Sequence, residues 1–261
     1  MSEIKVVKSS EGIGSTITQK QVDVISKILE KGKRHFGSAG ASLTHQISDP
    51  KYKDAGINPE LAKVGLQGEK KTDKFLKEWI KDKPQAVLID SVHVRGYGKE
   101  EVDEETGALE GGDTDHILVV GNNLILIDSK NWKGKRSYSI SAKGEIMRSK
   151  KVFKGGKVNT VAAKFLWLKY LKDYNIRTVH PIIAITSEKV FVVRDNVWWK
   201  SQFHVLPLDD LEMFLNAIWK KIDGESINEI DANLITAISI NAIRPYNIVH
   251  EQLGNVEHLL G

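Results

Sequence analysis

Two acids and a lysine, Asp115, Asp128 and Lys130, bracket two short apolar runs, His116 to Val120 and Leu124 to Ile127. Carboxylates that share a site raise one another's pKa and repel unless a cation lies between them. Mg²⁺ suits such a place, because it takes hard oxygen ligands and is commonly held by one or two carboxylates together with water and substrate phosphate oxygens. A lysine beside that ion can orient the attacking water and stabilise charge that builds up on phosphorus-bound oxygen. The combination suits hydrolysis of a phosphodiester.

The elements that must hold these groups read as a β-hairpin. The two apolar runs are rich in β-branched and aliphatic residues, and Gly121-Asn122-Asn123 between them has turn chemistry. With Asn122 and Asn123 as the loop, Gly121 faces Leu124, Asp115 faces Lys130, and Asp128 lies diagonally across from Asp115. Opposed residues share a face, as do residues two apart, so all three polar groups converge. A one-residue slip would send Asp115 to the other face. Strands this apolar predict burial on both sides, with the site at the end of a covered sheet.

A fourth acid comes from a helix. From Pro59 to Lys81, Leu61, Val64, Phe75, Leu76, Trp79 and Ile80 recur at roughly helical spacing. Glu69, four residues after Gly65 and seven before Leu76, aligns with that stripe. Either the helix starts late and Glu69 is a solvated first-turn acid, or it points inward at a metal. Gly65 and Gly68 fit a helix start or a close packing contact.

Charge is distributed unevenly. The net charge of +4 identifies no partner, but from Asp128 to Lys157 ten basic residues stand against two acidic ones. Within that strip Lys133, Lys135, Arg136, Lys150, Lys151, Lys154 and Lys157 are candidate nucleic-acid contacts, suited to salt-sensitive phosphate binding without sequence preference. The competing reading is a solvated surface of strands and turns. An acidic, glycine-rich block from Gly96 to Gly112 precedes the motif. It reads as a solvated insertion, and alternatively as a loop that closes on the basic strip. Trp198-Trp199 has the aromatic faces to stack bases, though one ring packed inward and one outward is the plainer reading.

The remaining segments read as structural. A helix is expected from Thr18 to Glu30, followed by a Gly/Ala/Ser-rich connection at Gly37 to Ser42. Further helices are expected at Val158 to Tyr174, Leu208 to Lys221 and Ile227 to Ile243, and strands at Pro181 to Thr186 and Val190 to Arg194. The eight histidines show no close pairing of the kind a zinc helix carries, so no histidine metal set is expected. His116 should face away from Asp115 as a packing or supporting residue. The absence of cysteine excludes disulfides, zinc–thiolate sites and thiol catalysis. There is no apolar signal core at Met1 to Lys5 and no run near the roughly 18 apolar residues of a membrane span, which leads to the expectation of a cytoplasmic protein without a membrane partner.

Thr-Asp115-His-Ile-Leu-Val, Leu-Ile-Asp128-Ser-Lys130-Asn-Trp-Lys-Gly and the upstream Gly65-Leu-Gln-Gly68-Glu69 resemble the nuclease-related domain, NERD, of the PD-(D/E)xK nuclease superfamily. The resemblance runs from about Leu61 to Phe214. It implies an α/β, restriction-endonuclease-like mixed sheet flanked by helices, with Glu69, Asp115, Asp128 and Lys130 catalytic and the three acids on Mg²⁺, for which Mn²⁺ can substitute. Asp128 stands where that family usually has Glu. The expected organisation is a helical N-terminal extension over 1–58, a nuclease core over 59–222 and a helical C-terminal extension over 223–261. The N-terminal helix is available for self-association or a protein partner. The expected activity is metal-dependent hydrolysis of nucleic acid, with DNA favoured by the family alone. The alternative is a catalytically silent or partner-activated nucleic-acid-binding module on the same fold.

Overall fold

The computed structural model describes residues 4–8, 17–48, 58–95, 111–132, 136–140, 146–148, 151–152, 167–187, 190–193 and 204–240. In chain order they form β1 (Lys5–Val7), α1 (Gln19–Glu30), β2 (His35–Phe36), α2 (Ala41–Ser48), α3 (Pro59–Trp79), β3 (Ala86–Arg95), β4 (Gly111–Val120), β5 (Asn123–Lys130), β6 (Arg136–Ile140), β7 (Ile146–Arg148), β8 (Lys151–Val152), β9 (Thr178–Ile185), β10 (Val190–Val193), β11 (His204–Pro207), α4 (Leu208–Lys221), β12 (Glu229–Asp231) and α5 (Ala232–Ser239). Local chemistry sets the helix starts. Thr18 and Gln21 cap α1 reciprocally, while Asn58 caps α3 and Pro59 occupies its first turn, where a missing N–H costs nothing.

The main sheet is six-stranded and mixed, in the order β11-β9-β5-β4-β3-β2. Neighbours β11, β9 and β5 run parallel, β5, β4 and β3 antiparallel, and β2 parallel to β3. Helices flank it in the restriction-endonuclease-like manner. Alternation along the strands builds two cores. Leu124 and Leu126 of β5 face α1, α5 and Trp167, whereas Ile125 and Ile127 face Leu76 and Trp79 of α3 and the apolar side of α4. Burial on both faces explains why these strands are apolar throughout.

Chain segments on either side of the expected core also enter the structure. Strand β2 is an edge of the main sheet, β1 pairs in parallel with β12, and α1 packs on α5. The strand expectations at 181–186 and 190–194 correspond to β9 and β10, but these lie in different sheets, since β10 joins β6, β7 and β8. The single helix expected from Ile227 is instead a short strand, β12, followed by α5, with Asp231 capping the turn into the helix. Residues 167–170 are helical and the earlier part of the expected 158–174 helix lies outside the described residues, as do the acidic block up to residue 110 and Trp198-Trp199. Among the described residues no helix is long and apolar enough to cross a membrane.

Candidate functional site

The β4–β5 register differs from the sequence expectation by two residues. Gly121 and Asn122 form the loop, and Val120 pairs with Asn123. Gly121 has φ +55°, the left-handed value that a type II′ hairpin needs at its first loop position. A two-residue shift preserves the faces, so Asp115, Asp128 and Lys130 remain on one side, and extending the ladder sets Asp115 opposite Asp128 rather than Lys130. The pairing stops at His116 and Ile127. Beyond it the Ser129 amide donates to Asp115 Oδ2 at 2.6 Å, so the acid takes the place of a ladder carbonyl.

Lys130 Nζ donates to Asp128 Oδ1 at 2.5 Å, with both side chains partly buried. Burial alone would push the Lys130 ammonium to release its proton. The charges of Asp128, Asp115 and, more weakly, Glu69 outweigh that effect and hold its pKa above the usual lysine value. Four residues from β4, β5 and α3 therefore share one field.

Glu69 is only 4 % exposed and lies in the third turn of α3, which rules out the solvated first-turn reading. The two glycines are packing contacts. A Cβ on Gly68 would stand 3.0 Å from Asn131 Cβ and 3.0 Å from Thr186 Oγ1, and one on Gly65 would stand 2.9 Å from Leu43 Cδ1. Asn131 Nδ2 donates to Val64 O at 2.9 Å, locking the same stretch of α3 over the end of β5.

Beneath α3, on the opposite face from Asp128, lies a polar layer that sequence reasoning missed. His116 Nδ1 contacts Asp90 Oδ1 at 2.7 Å, and its Nε2 contacts Ser129 Oγ at 3.1 Å. Ser129 donates to Thr72 Oγ1 at 2.9 Å and Thr72 to Gly68 O at 3.3 Å, so the Ser129 hydrogen is committed and both His116 nitrogens donate. Burial opposes the imidazolium, yet the Asp90 hydrogen bond and charge raise its pKa. Burial likewise opposes ionised Asp90, but His116 and His35 hold its pKa below the ordinary carboxylate range. His116 thus has the supporting role expected of it.

No histidine set of the excluded kind is seen among the described residues, but one histidine joins two acids. His35 Nε2 lies 2.6 Å from Asp90 Oδ2 and 3.8 Å from Asp73 Oδ1, and among the described residues these three form the set whose ligand atoms lie within 4.8 Å of one another. They come from β2, α3 and β3, so no local spacing announced them. The visible signal was Asp90 itself, an acid ending an apolar run, Ala86 to Ile89. Asp73 Oδ1 is buried without a hydrogen-bond partner, and burial together with the Asp90 charge raises the Asp73 pKa against the pull of Lys77.

Of the basic strip, Arg136 begins β6 and Lys151 is exposed on β8. Lys133, Lys135, Lys150, Lys154 and Lys157 lie outside the described residues. No curated protein matches the chain. The stretch from the first turns of α3 to the end of β9, which supplies Glu69, Asp115, Asp128 and Lys130, matches the family model of the nuclease-related domain, NERD, over residues 64–186.

Proposed function

We propose that the chain is a metal-dependent nuclease that hydrolyses DNA phosphodiester bonds at Glu69, Asp115, Asp128 and Lys130. The observation that supports it is the hydrogen bond from Lys130 Nζ to Asp128 Oδ1 at 2.5 Å, in reach of the charges of Asp115 and, more weakly, Glu69. The donor set fits Mg²⁺ in kind, since every candidate ligand is a carboxylate oxygen and three carboxylates against one ammonium leave an excess negative charge that a divalent ion offsets. In spacing it does not yet fit, because among the described residues these three acids are not a group whose ligand atoms lie within 4.8 Å of one another, and they must draw together to share an ion. Glu69, Asp115 and Asp128 would hold the ion, with Mn²⁺ able to replace Mg²⁺. When bound, it supplies Lewis-acid polarisation of the phosphate and a more acidic water.

The protein's own groups divide the remaining work. Lys130 keeps its proton, so it acts as a donor and not as a general base. It orients the water and stabilises negative charge on the phosphoryl oxygens. The water oxygen attacks phosphorus in line and gives up a proton to solvent, the bond to the 3′ oxygen breaks, and that oxygen takes a proton from solvent, which leaves a 5′-phosphate and a 3′-hydroxyl. Arg136 and Lys151, with Lys133, Lys135, Lys150, Lys154 and Lys157, would contact phosphates along the strand.

A second reading has its own support. Asp128 Oδ1 is engaged by Lys130 and Asp115 Oδ2 by the Ser129 amide. A module that is silent until a partner or substrate gathers these carboxylates would carry the same groups in this arrangement. The test is cleavage of supercoiled plasmid and labelled single-stranded DNA with Mg²⁺, Mn²⁺ or EDTA. Metal-dependent cutting that falls at least about 100-fold in both Asp128→Ala and Lys130→Ala is expected. Binding without cutting by the wild type favours the silent module, and cutting that survives both substitutions overturns the site.

A further inference from the structure

We propose that His35, Asp73 and Asp90 form a second divalent-cation site, separate from the carboxylates around Lys130 and suited to Zn²⁺ rather than Mg²⁺, which fastens α3 to β2 and β3. The donor set is one imidazole nitrogen and two carboxylate oxygens. Imidazole favours zinc over magnesium, which prefers oxygen ligands alone. Donors of one tetrahedral zinc stand about 3.4 Å apart. The observed spacings of 2.6 and 3.8 Å from His35 Nε2 fall on either side of that value, and all three donors lie within 4.8 Å of one another, so shifts of about 1 Å bring them onto one ion.

Two further observations point to an ion. Asp73 Oδ1 is buried, makes no hydrogen bond and lies close to a second carboxylate, an arrangement that calls for a cation or a shared proton. The second Asp90 oxygen is held by His116, which orients the carboxylate as a supporting hydrogen bond does in established zinc sites. The His35 and Asp73 side chains retain 27 % and 15 % exposure, which provides an entry path and room for water as the remaining ligand.

The site does not depend on the proposed nuclease activity. Its consequence is mechanical, because Asp90 continues through His116 to Ser129, whose amide holds Asp115. An ion at Asp90 would stiffen the support beneath the β4–β5 hairpin.

Titration calorimetry of the full chain with Zn²⁺ tests this, using the wild type, His35→Gln, Asp73→Asn and the double variant Asp115→Asn with Asp128→Asn. One Zn²⁺ is expected to bind the wild type and the double variant with the same Kd, with at least a 100-fold weakening in His35→Gln and in Asp73→Asn. At a hundredfold excess over Kd, Zn²⁺ should raise the wild-type Tm by about 5–10 °C. Should either single variant fail to fold, the imidazole NMR signals of wild-type His35 must shift on Zn²⁺ addition. Absence of Zn²⁺ binding by the wild type, unchanged Kd in folded His35→Gln, or an unmoved His35 signal each overturns the proposal.

Discussion

Asp90 carries two histidines on its two oxygens and is fully buried, so the polar layer under α3 depends on its charge. Asp90→Asn keeps the shape but leaves His116 facing Asp90's position without a counter-charge, in a place where water cannot compensate. Breaking a buried pair in this way costs on the order of 3 kcal/mol. Urea denaturation should report a loss of that size, and a loss below about 1 kcal/mol would mean that the pair contributes little. The Asp115, Asp128 and Lys130 grouping was legible because strand alternation is a local rule that fixes which side chains share a face. Glu69 was legible because helical periodicity is equally local. His35, Asp73 and Asp90 were not, since three elements must first dock before those atoms meet.

At the scale of elements, α3 is held by two glycines that behave differently under the same substitution. Alanine in a helix interior normally gains about 1 kcal/mol over glycine. At Gly65 the new methyl would meet only the end of the Leu43 side chain, which can rotate away. At Gly68 it would meet Asn131 Cβ and Thr186 Oγ1, which are fixed by the ends of β5 and β9. Thermal denaturation should therefore find Gly65→Ala neutral or stabilising and Gly68→Ala destabilising by about 1 kcal/mol or more, a propensity gain turned into a packing loss. Equal effects would show that α3 is not seated as described. Helices α1, α3 and α4 were readable because each has a strong apolar face, and two of them also carry marked caps. The hairpin register was misjudged because Gly121 was counted in the strand, although only its left-handed φ makes the turn. Strand β12 escaped because three residues, Glu229 to Asp231, are too few to show a period, and its pairing with β1 is a long-range choice.

For the whole molecule, one face of the main sheet is covered by two helices far apart in the sequence. Val22, Ile25 and Leu29 of α1 and Leu234, Ile235 and Ile238 of α5 belong to one core with Ile117, Val119, Leu124 and Leu126. A chain cut to residues 59–222 would expose that face and lose the β2 edge. It should show no sharp thermal transition by circular dichroism and should bind a hydrophobic dye, whereas a cooperative transition would prove the central part self-sufficient. The pairing of β1 with β12 has a consequence in time. Lys5 pairs with Glu229, so β1 must wait while the more than 200 residues between them are made. At the usual pace of synthesis that wait is roughly 10–45 s. Throughout it the apolar side of α1 has no α5 to lie against, and a nascent chain in this state is the form most in need of a chaperone.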